Sequence, residues 1–425
     1  MLGSGHARRL ALVTPALTAL AIAAAALAPA AHASTRYVST AAQFQSAVAA
    51  FRETGGTIVL RRHIYTTTMV VGRRGTRRLT IVGSSGARVQ LLELNEAQHV
   101  LVRHLSVHPL KADGGIIAHS ASHLVFQGDR FTAVRTRHTV TLDLDHSNTV
   151  MVRASRFSHC GDRTSQWALC LLPRWASHVT VDGNWFHDCF GCDFIHGRAG
   201  PAFVVENNRF ARALACHETW TKCGHSDDIE LFAADGMLVR RNIFGVNQRG
   251  GAQLYMATAV DHVRIVNNLF LRHDPRAPGV IPRIGIQVGT RVNPREPEDV
   301  QIVNNTVLSG RRTSHDAPTS IFLSPHYGLL PADERPIIVN TVMLRLDTPA
   351  IVCSHAGLLK DDVAATGAGC LGVTVGDPAL TATGLPTASS TLLIDKAAGR
   401  WAPPRDLLGD RRVGPPDIGC YEYTP

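Results

Sequence analysis

The chain has 425 residues, nine cysteines and a formal net charge of +9, with 45% hydrophobic residues. A basic balance favours an acidic partner over a neutral one. No basic helix and no aromatic-and-basic RNA motif accompanies it, which argues against nucleic acid.

Residues 1–33 carry Arg8 and Arg9, an apolar run from Leu10 to Ala30, then Ala31-His32-Ala33. A basic start, an apolar core and A-x-A describe a secretory signal cleaved after Ala33, and Pro29 supports cleavage over anchoring. No other stretch is apolar enough to cross a membrane. The expectation is a secreted, extracellular protein, and losing Arg8 and Arg9 lowers the net charge from +9 to +7.

Residues 34–56 read as an N-terminal cap. In TAAQFQSAVAAF (40–51), Phe44, Val48 and Phe51 share one helical stripe, with Thr40 as N-cap. Such a helix would plug the open end of a stacked structure. TIVLRRHIYTTTMVV (57–71) and LTIVGSSGARV (79–89) then alternate as strands.

From there one phrase recurs. It reads VTVDGNWF (179–186), AFVVENNRF (202–210), MLVRRNIF (237–244) and VRIVNNLF (263–270). Degraded copies are VLVRHLSV (100–107), LVFQGDRF (124–131), VMVRASRF (150–157) and VQIVNNTV (300–307). Short β-branched strands repeating at this period predict a β-solenoid over 57–375. A solenoid grows by adding turns, so a length that would otherwise suggest two or three domains is compatible with one. Asn184, Asn208, Asn242, Asn268 and Asn305 sit two residues before the closing residue. Asn tolerates a left-handed backbone, so these positions read as corners whose amides form a ladder. Phe157, Phe186, Phe210, Phe244 and Phe270 are expected to stack inside.

In an exported chain the cysteines are expected as disulfides. Cys160–Cys170, Cys216–Cys223 and Cys353–Cys370 each close a short loop. Cys189 and Cys192 pair with each other or across turns, or contribute to a zinc site with Cys216, Cys223 or His225. Cys420 is left over.

The last segment (376–425) is rich in Pro and Gly and leaves the repeat, which reads as a C-terminal cap. Three features now converge: F-x-x-A-V-x-x-F-x-x-x-G-G-T-I-V-L near the start, the N-x-F turns, and the ending D-R-R-V-G-P-P-D-I-G-C-Y-E-Y. In these the chain resembles bacterial secreted right-handed parallel β-helix proteins of the pectate-lyase-like superfamily. The resemblance implies the fold, and it covers nearly all of the chain after residue 33. That superfamily includes polysaccharide lyases, glycoside hydrolases and non-catalytic surface proteins, so fold does not settle activity. The N-T-D, G-H-G and R-I-K triplets of polygalacturonase-like hydrolases are absent, as is the W-I-D-H motif of pectate lyases. Related chains end D-I-G-A where this one has Cys420, which suggests a bridge at that position.

Registering the turns on N-x-F gives the other strands as 139–145, 167–172, 192–197, 227–232, 252–257 and 284–289. Alternation places Val140, Leu142, Leu169, Leu171, Phe194, Ile229, Leu231, Leu254, Met256, Ile284 and Ile286 inside. Thr141, Asp143, Asp193, Asp228, Glu230, Gln253, Tyr255 and Gln287 then face outward. Asp193, Asp228 and Glu230 are expected to crowd into one cleft. Like charges that close need a shared proton or a cation, and Ca²⁺ is the ion such oxygens take. Arg163, Arg174, Trp175, His196, Arg198, His217, Trp220, Lys222, His225 and Arg249 would surround them. Arg198, His196, Trp220, Lys222, Gln253, Tyr255 and Asp143 would bind substrate, with Arg249 and His225 beside the carboxylates in catalysis. His99, His104, His119 and His123 show no grouping and read as solvated or structural.

Three functions fit. A lyase would remove the proton α to a uronate carboxylate, on an anionic, uronic-acid-containing polysaccharide. A hydrolase would use a carboxylate pair. A glycan-binding or surface solenoid would do neither. Secretion, basic charge and an acidic cleft lean toward the lyase, acting as a monomer.

Overall fold

The computed structural model describes residues 34–72, 74–109, 114–132, 140–160, 168–214, 226–245, 251–271, 284–290, 295–309, 320–346, 353, 356–367 and 370–424. The chain winds as a right-handed parallel β-helix. Each turn visits three sheets in the same order. Sheet A runs from Thr35–Val38 to Leu358–Lys360, and sheet B from Ile64–Tyr65 to Val373–Val375. Sheet C runs from Met69–Val70 to Ile321–Leu323. Strand pairing within all three is parallel. Sheet A begins earlier than the repeat suggested, because Thr35–Val38 pairs with Gly56–Leu60.

The helix α1 (Ala41–Ala50) forms where the apolar stripe predicts it. The Thr40 hydroxyl accepts from the Gln43 amide at 3.2 Å. Phe44, Val48 and Phe51 are buried. The helix packs on the first strands and covers the end of the core.

The interior is held by two stacks. Phe131, Phe157, Phe186, Phe210, Phe244 and Phe270 lie ring on ring, with centroids 4.4, 4.6, 5.0, 5.0 and 4.5 Å apart along the column. All six are fully buried. Each such pair contributes about 0.5–1.5 kcal/mol beyond its burial. Beside them runs the amide ladder. The backbone N–H of Asn184 donates to Asn208 Oδ1 at 2.8 Å, that of Asn208 to Asn242 Oδ1 at 2.9 Å, and that of Asn242 to Asn268 Oδ1 at 3.0 Å. Asn268 donates likewise to Asn305 at 2.9 Å. Each Nδ2 also donates to a strand carbonyl, as Asn242 Nδ2 does to Val205 O at 2.8 Å. Two degraded copies keep an oxygen in the same place, at Asp129 and Ser155, and the first has Leu105 there. Ser155 N–H donates to Asn184 Oδ1, Asp129 N–H to Ser155 Oγ, and Leu105 N–H to Asp129 Oδ1.

The reason for Asn at this position differs from the expectation. The left-handed residue is the one before it: Gly183, Asn207, Arg241, Asn267 and Asn304 have φ of 64, 57, 53, 54 and 52°. The ladder Asn is there for its amide, not for its backbone freedom.

Cys160 is bonded to Cys170, Cys353 to Cys370, and Cys189 to Cys192. Cys216 and Cys223 lie outside the described residues. Cys420 makes no bridge. It is a free, buried thiol packed with Leu269, Leu308, Leu407 and Tyr421, and burial pushes its pKa up to about 12. The segment around it docks on the corner between sheets A and B. Asn304 Nδ2 donates to Asp417 O at 3.0 Å, and Arg412 Nη2 to Gly419 O at 2.8 Å and to Asn267 Oδ1 at 3.2 Å.

His99 and His123 are grouped after all: their rings stack at 4.5 Å on neighbouring turns of sheet A. His119 binds Asp145 at 2.7 Å, and so does His146 at 2.8 Å. Alternation along each strand could not show this, because the pairs form between turns.

The ladder yields a measurable expectation. Asn242→Ala strands the Asn208 N–H and the Val205 carbonyl in the core, so it should destabilise the fold by about 2–3 kcal/mol in urea unfolding. Asn148→Ala, exposed on sheet A, should stay within about 0.5 kcal/mol.

Candidate functional site on sheet C

Sheet C carries one outward column that crosses the turns in register. It runs Glu93, Ile117, Asp143, then, one strand each, Leu172, His196, Glu230, Tyr255 and Gln287. Of these positions only His196 departs from the expected register. Strict alternation over 192–197 with Asp193 outward and Phe194 inside would turn Ile195 outward. Phe194 and Ile195 are both fully buried in the core. The Phe194 ring packs against Phe186 and Phe210, and Ile195 sits between Leu171 and Ile229. Two successive side chains therefore point inward. Asp193 and His196, either side of them, meet.

Their meeting makes the most concentrated polar group on this sheet. His196 Nδ1 lies 2.8 Å from Asp193 Oδ2 and 3.0 Å from Glu230 Oε2. Asp193 is held from behind, because its Oδ1 accepts the Asp227 N–H at 2.6 Å. Asp227 in turn accepts the Ala252 N–H. The His196 ring edge rests on Phe232 at 5.3 Å. Burial alone would lower the imidazole pKa, but the hydrogen bonds and charges of Asp193 and Glu230 outweigh it and raise it to about 10. At neutral pH the ring is an imidazolium clamped between two carboxylates.

Tyr255 stands beside Glu230 on the next turn. Burial, together with the negative field of Glu230, Asp227 and Glu296, pushes its phenol up to about 12, so it keeps its proton. Glu296 is buried, accepts from Ser324 Oγ at 2.6 Å, and has its carboxyl raised by desolvation. Sequence reasoning missed Asp227 and Glu296. Asp227 was hidden by the acid next to it. Glu296 lies outside any strand.

The other expected residues spread out. Asp228 is fully buried on the turn adjacent to Asp193, and its carbonyl accepts from the Ile195 N–H at 3.1 Å. Asp143 lies two turns from His196 and is paired with Arg174. The Gln253 amide nitrogen is spent on the carbonyls of Gly245 at 3.0 Å and Phe244 at 3.3 Å. Arg198 is exposed at the corner toward sheet A and lies 5.5 Å from the Trp175 ring. Both line a groove of about 680 Å³ with Phe232, Asp235 and Arg295. Arg163, His217, Trp220, Lys222, His225 and Arg249 lie outside the described residues.

The connections from sheet B to sheet C differ in length around this place. On the turn of His196 the link is Gly191 alone, between Trp185–Phe190 and Cys192–Pro201. On the turns either side the links run 159–167 and 215–228. Asp193, His196 and Glu230 each offer one ligand atom, all within 4.8 Å of one another, so the group could hold a metal ion. The donor set is one ring nitrogen and two carboxylates.

The chain matches no protein-family model and no curated protein. It is similar to three solved structures among others. Pectate lyase Pel9A is 12% identical over 92% of this chain and 98% of that one, with a TM-score of 0.48. An alginate lyase from Paenibacillus sp. str. FPU-7 is 16% identical over 55% and 86%, at 0.40. PfbA, a surface adhesin of Streptococcus pneumoniae, is 8% identical over 71% and 82%, at 0.40. At these identities the likeness concerns the fold.

The clamped imidazolium sets a pH dependence. Its folded pKa is raised from 6.5 to about 10. Its contribution to stability is therefore full below the unfolded value, shrinks across that window, and is gone above the folded value. The thermal midpoint of the protein should fall between those pH values. His196→Gln should flatten that part of the profile while lowering stability at pH 6.

Proposed function

We propose that this is a secreted, carbohydrate-active β-helix protein that cleaves an anionic, uronic-acid-containing polysaccharide by β-elimination on the outer face of sheet C. The observation that carries the reading is the His196 imidazolium, fixed between Asp193 and Glu230 next to a protonated Tyr255. Secretion is supported by the leader-like start and by the paired cysteines.

In β-elimination a base removes the proton α to the uronate carboxylate. A double bond forms, the bond to the leaving sugar oxygen breaks, and that oxygen takes a proton. Charge builds on the carboxylate in the transition state, so a preorganised cation there lowers the barrier. His196 supplies that cation. Asp193 and Glu230 keep it charged and aimed. Tyr255 is the proton donor to the leaving oxygen, because its phenol stays protonated at neutral pH. The base is assigned to His225 or Arg249, with Trp220 and Lys222 on the substrate. Arg198, beside Trp175, extends the same contact toward sheet A.

Calcium is the ion the three acids were expected to hold. Ca²⁺ takes oxygen ligands, whereas here a ring nitrogen sits between the two carboxylates. Asp228, expected to face outward beside them, is fully buried and is not in the group of possible ligands, which among the described residues is Asp193, His196 and Glu230. With His196 in place the mixed nitrogen and carboxylate set suits a borderline ion such as Zn²⁺. In the reading argued here His196 itself is the cation.

One observation favours a second reading. Asp193 and Glu230 bring two carboxylates to one place on this sheet, and a pair of carboxylates is what a glycoside hydrolase uses.

A screen against pectate, alginate and glycosaminoglycans separates these. Reducing ends accompanied by the absorbance of an unsaturated product indicate the lyase, and reducing ends without it the hydrolase. Silence on every substrate leaves a binding solenoid. For the lyase, Tyr255→Phe should lower kcat by about 10²–10⁴-fold. EDTA should leave activity intact. Loss with EDTA and recovery with Ca²⁺ would instead restore the carboxylate-only calcium site.

A further inference from the structure

The outer face of sheet B presents a second feature, on a different sheet from the candidate site. Its outward column runs in register through Arg88, Ser106, Arg130, Arg156, Trp185 and Arg209, then Ile243, Leu269, Thr306 and Val342. The two halves differ in chemistry and in cover. Ile243 and Leu269 pack against Leu407, Cys420 and Tyr421 of the C-terminal segment, and Val342 against Leu393 and Ile418. The protein's own chain covers the apolar half. The other half carries arginines and a tryptophan. Arg88, Arg130, Arg156, Trp185 and Arg209 are exposed, Trp185 to 42%.

Among the described residues no carboxylate lies within ion-pairing distance of these four arginines. The Arg156 guanidinium lies 4.4 Å from the Trp185 ring centre. Directly beneath, on the inner face, the same strands carry Phe131, Phe157, Phe186 and Phe210 in their stack. The strip is therefore mounted on the strands that carry the phenylalanine stack. Its steps are about 4.8 Å apart, so Arg88 to Arg209 spans roughly 24 Å along the helix axis.

We infer that this strip binds an anionic polysaccharide lying along the axis, as a non-catalytic surface separate from sheet C. Arginine pairs with carboxylates through a planar fork. Forks one or two turns apart, about 5 or 10 Å along the axis, match a polymer that carries a charge on each unit. The indole, 42% exposed although Arg156 and His187 lie against its ring, adds an amphipathic surface for a sugar ring. A row of charge alone would take any polyanion. The tryptophan within the row is what selects a sugar polymer. The inference does not depend on cleavage at sheet C.

The test is affinity electrophoresis of the full protein in gels containing sodium alginate or polygalacturonate, with dextran and double-stranded DNA as comparisons. The wild type should be retarded by the two uronates, less so as salt rises, and not by dextran. Arg130→Glu with Arg209→Glu should weaken retention by about tenfold or more, at unchanged thermal midpoint. Trp185→Ala should weaken it several-fold. Glu230→Gln, which disables the proposed chemistry, should be retarded like wild type, so failure of the lyase reading and failure of this one are separable. No retardation by either uronate, or equal retardation of the double arginine variant, overturns the proposal. So does equal retention by DNA with Trp185→Ala inert, which would mark a general polyanion surface.

Discussion

Everything in this fold depends on parallel stacking with a polar ladder that cannot slip. A parallel β-helix offers each strand two neighbours and no fixed partner, so a register error of one residue would invert its faces. The Asn ladder removes that freedom. Each amide bonds both to the next ladder side chain and to a strand carbonyl, so a turn displaced along its strand would leave buried donors and acceptors without partners. The Phe column then rewards the same alignment with ring-on-ring contact. Polar satisfaction sets the register, and aromatic packing stabilises it.

The candidate site occupies the turn where one strand departs from simple alternation. Phe194 and Ile195 both enter the core, which leaves Asp193 and His196 to flank them and converge on Glu230. Burying two carboxylates together would be costly; an imidazolium between them offsets that cost and is itself made permanent by them. The group is thus self-consistent without any added ion.

The fold was legible because its repeat is written in residues whose roles are local. Asn184 to Asn305 and Phe157 to Phe270 announce corners and core without any knowledge of the loops. Even two of the degraded copies keep an acceptor, as Asp129 and Ser155 show. The site was legible only in part. Asp193, Glu230 and Tyr255 were read as outward and adjacent, and Glu230 and Tyr255 are in register. His196 was placed at the rim, because strict alternation makes its neighbour Ile195 the outward residue. A two-residue inward pair has no signature in a sequence where both residues are hydrophobic. Glu296 was out of reach for another reason. Its position depends on where a non-strand segment returns, and Ser324, its partner, is a distant residue.

The C-terminal segment ties the outer face of sheet B to the fold's stability. Its ending Asp417-Ile418-Gly419-Cys420 has a physical basis in the structure. Gly419, at φ 101°, lies where an added Cβ would meet Thr306 Oγ1 at 2.8 Å, so the chain can pass that close only as glycine. Cys420 then fills an apolar niche against Leu269 and Leu308, where a larger polar residue would not fit. This docking covers the part of sheet B whose outward residues are apolar, and it stops at Ile243. Beyond that point the outward residues become arginine and tryptophan. Among the described residues no carboxylate pairs directly with these arginines, and a surface that keeps one sign of charge over several turns incurs mutual repulsion. Such a surface is stable in water but gains most when an anionic partner neutralises it. The three sheets therefore carry different burdens: sheet A and the corner ladder hold the register, sheet C gathers the titrating groups, and sheet B divides its outer face between its own C-terminal segment and solvent.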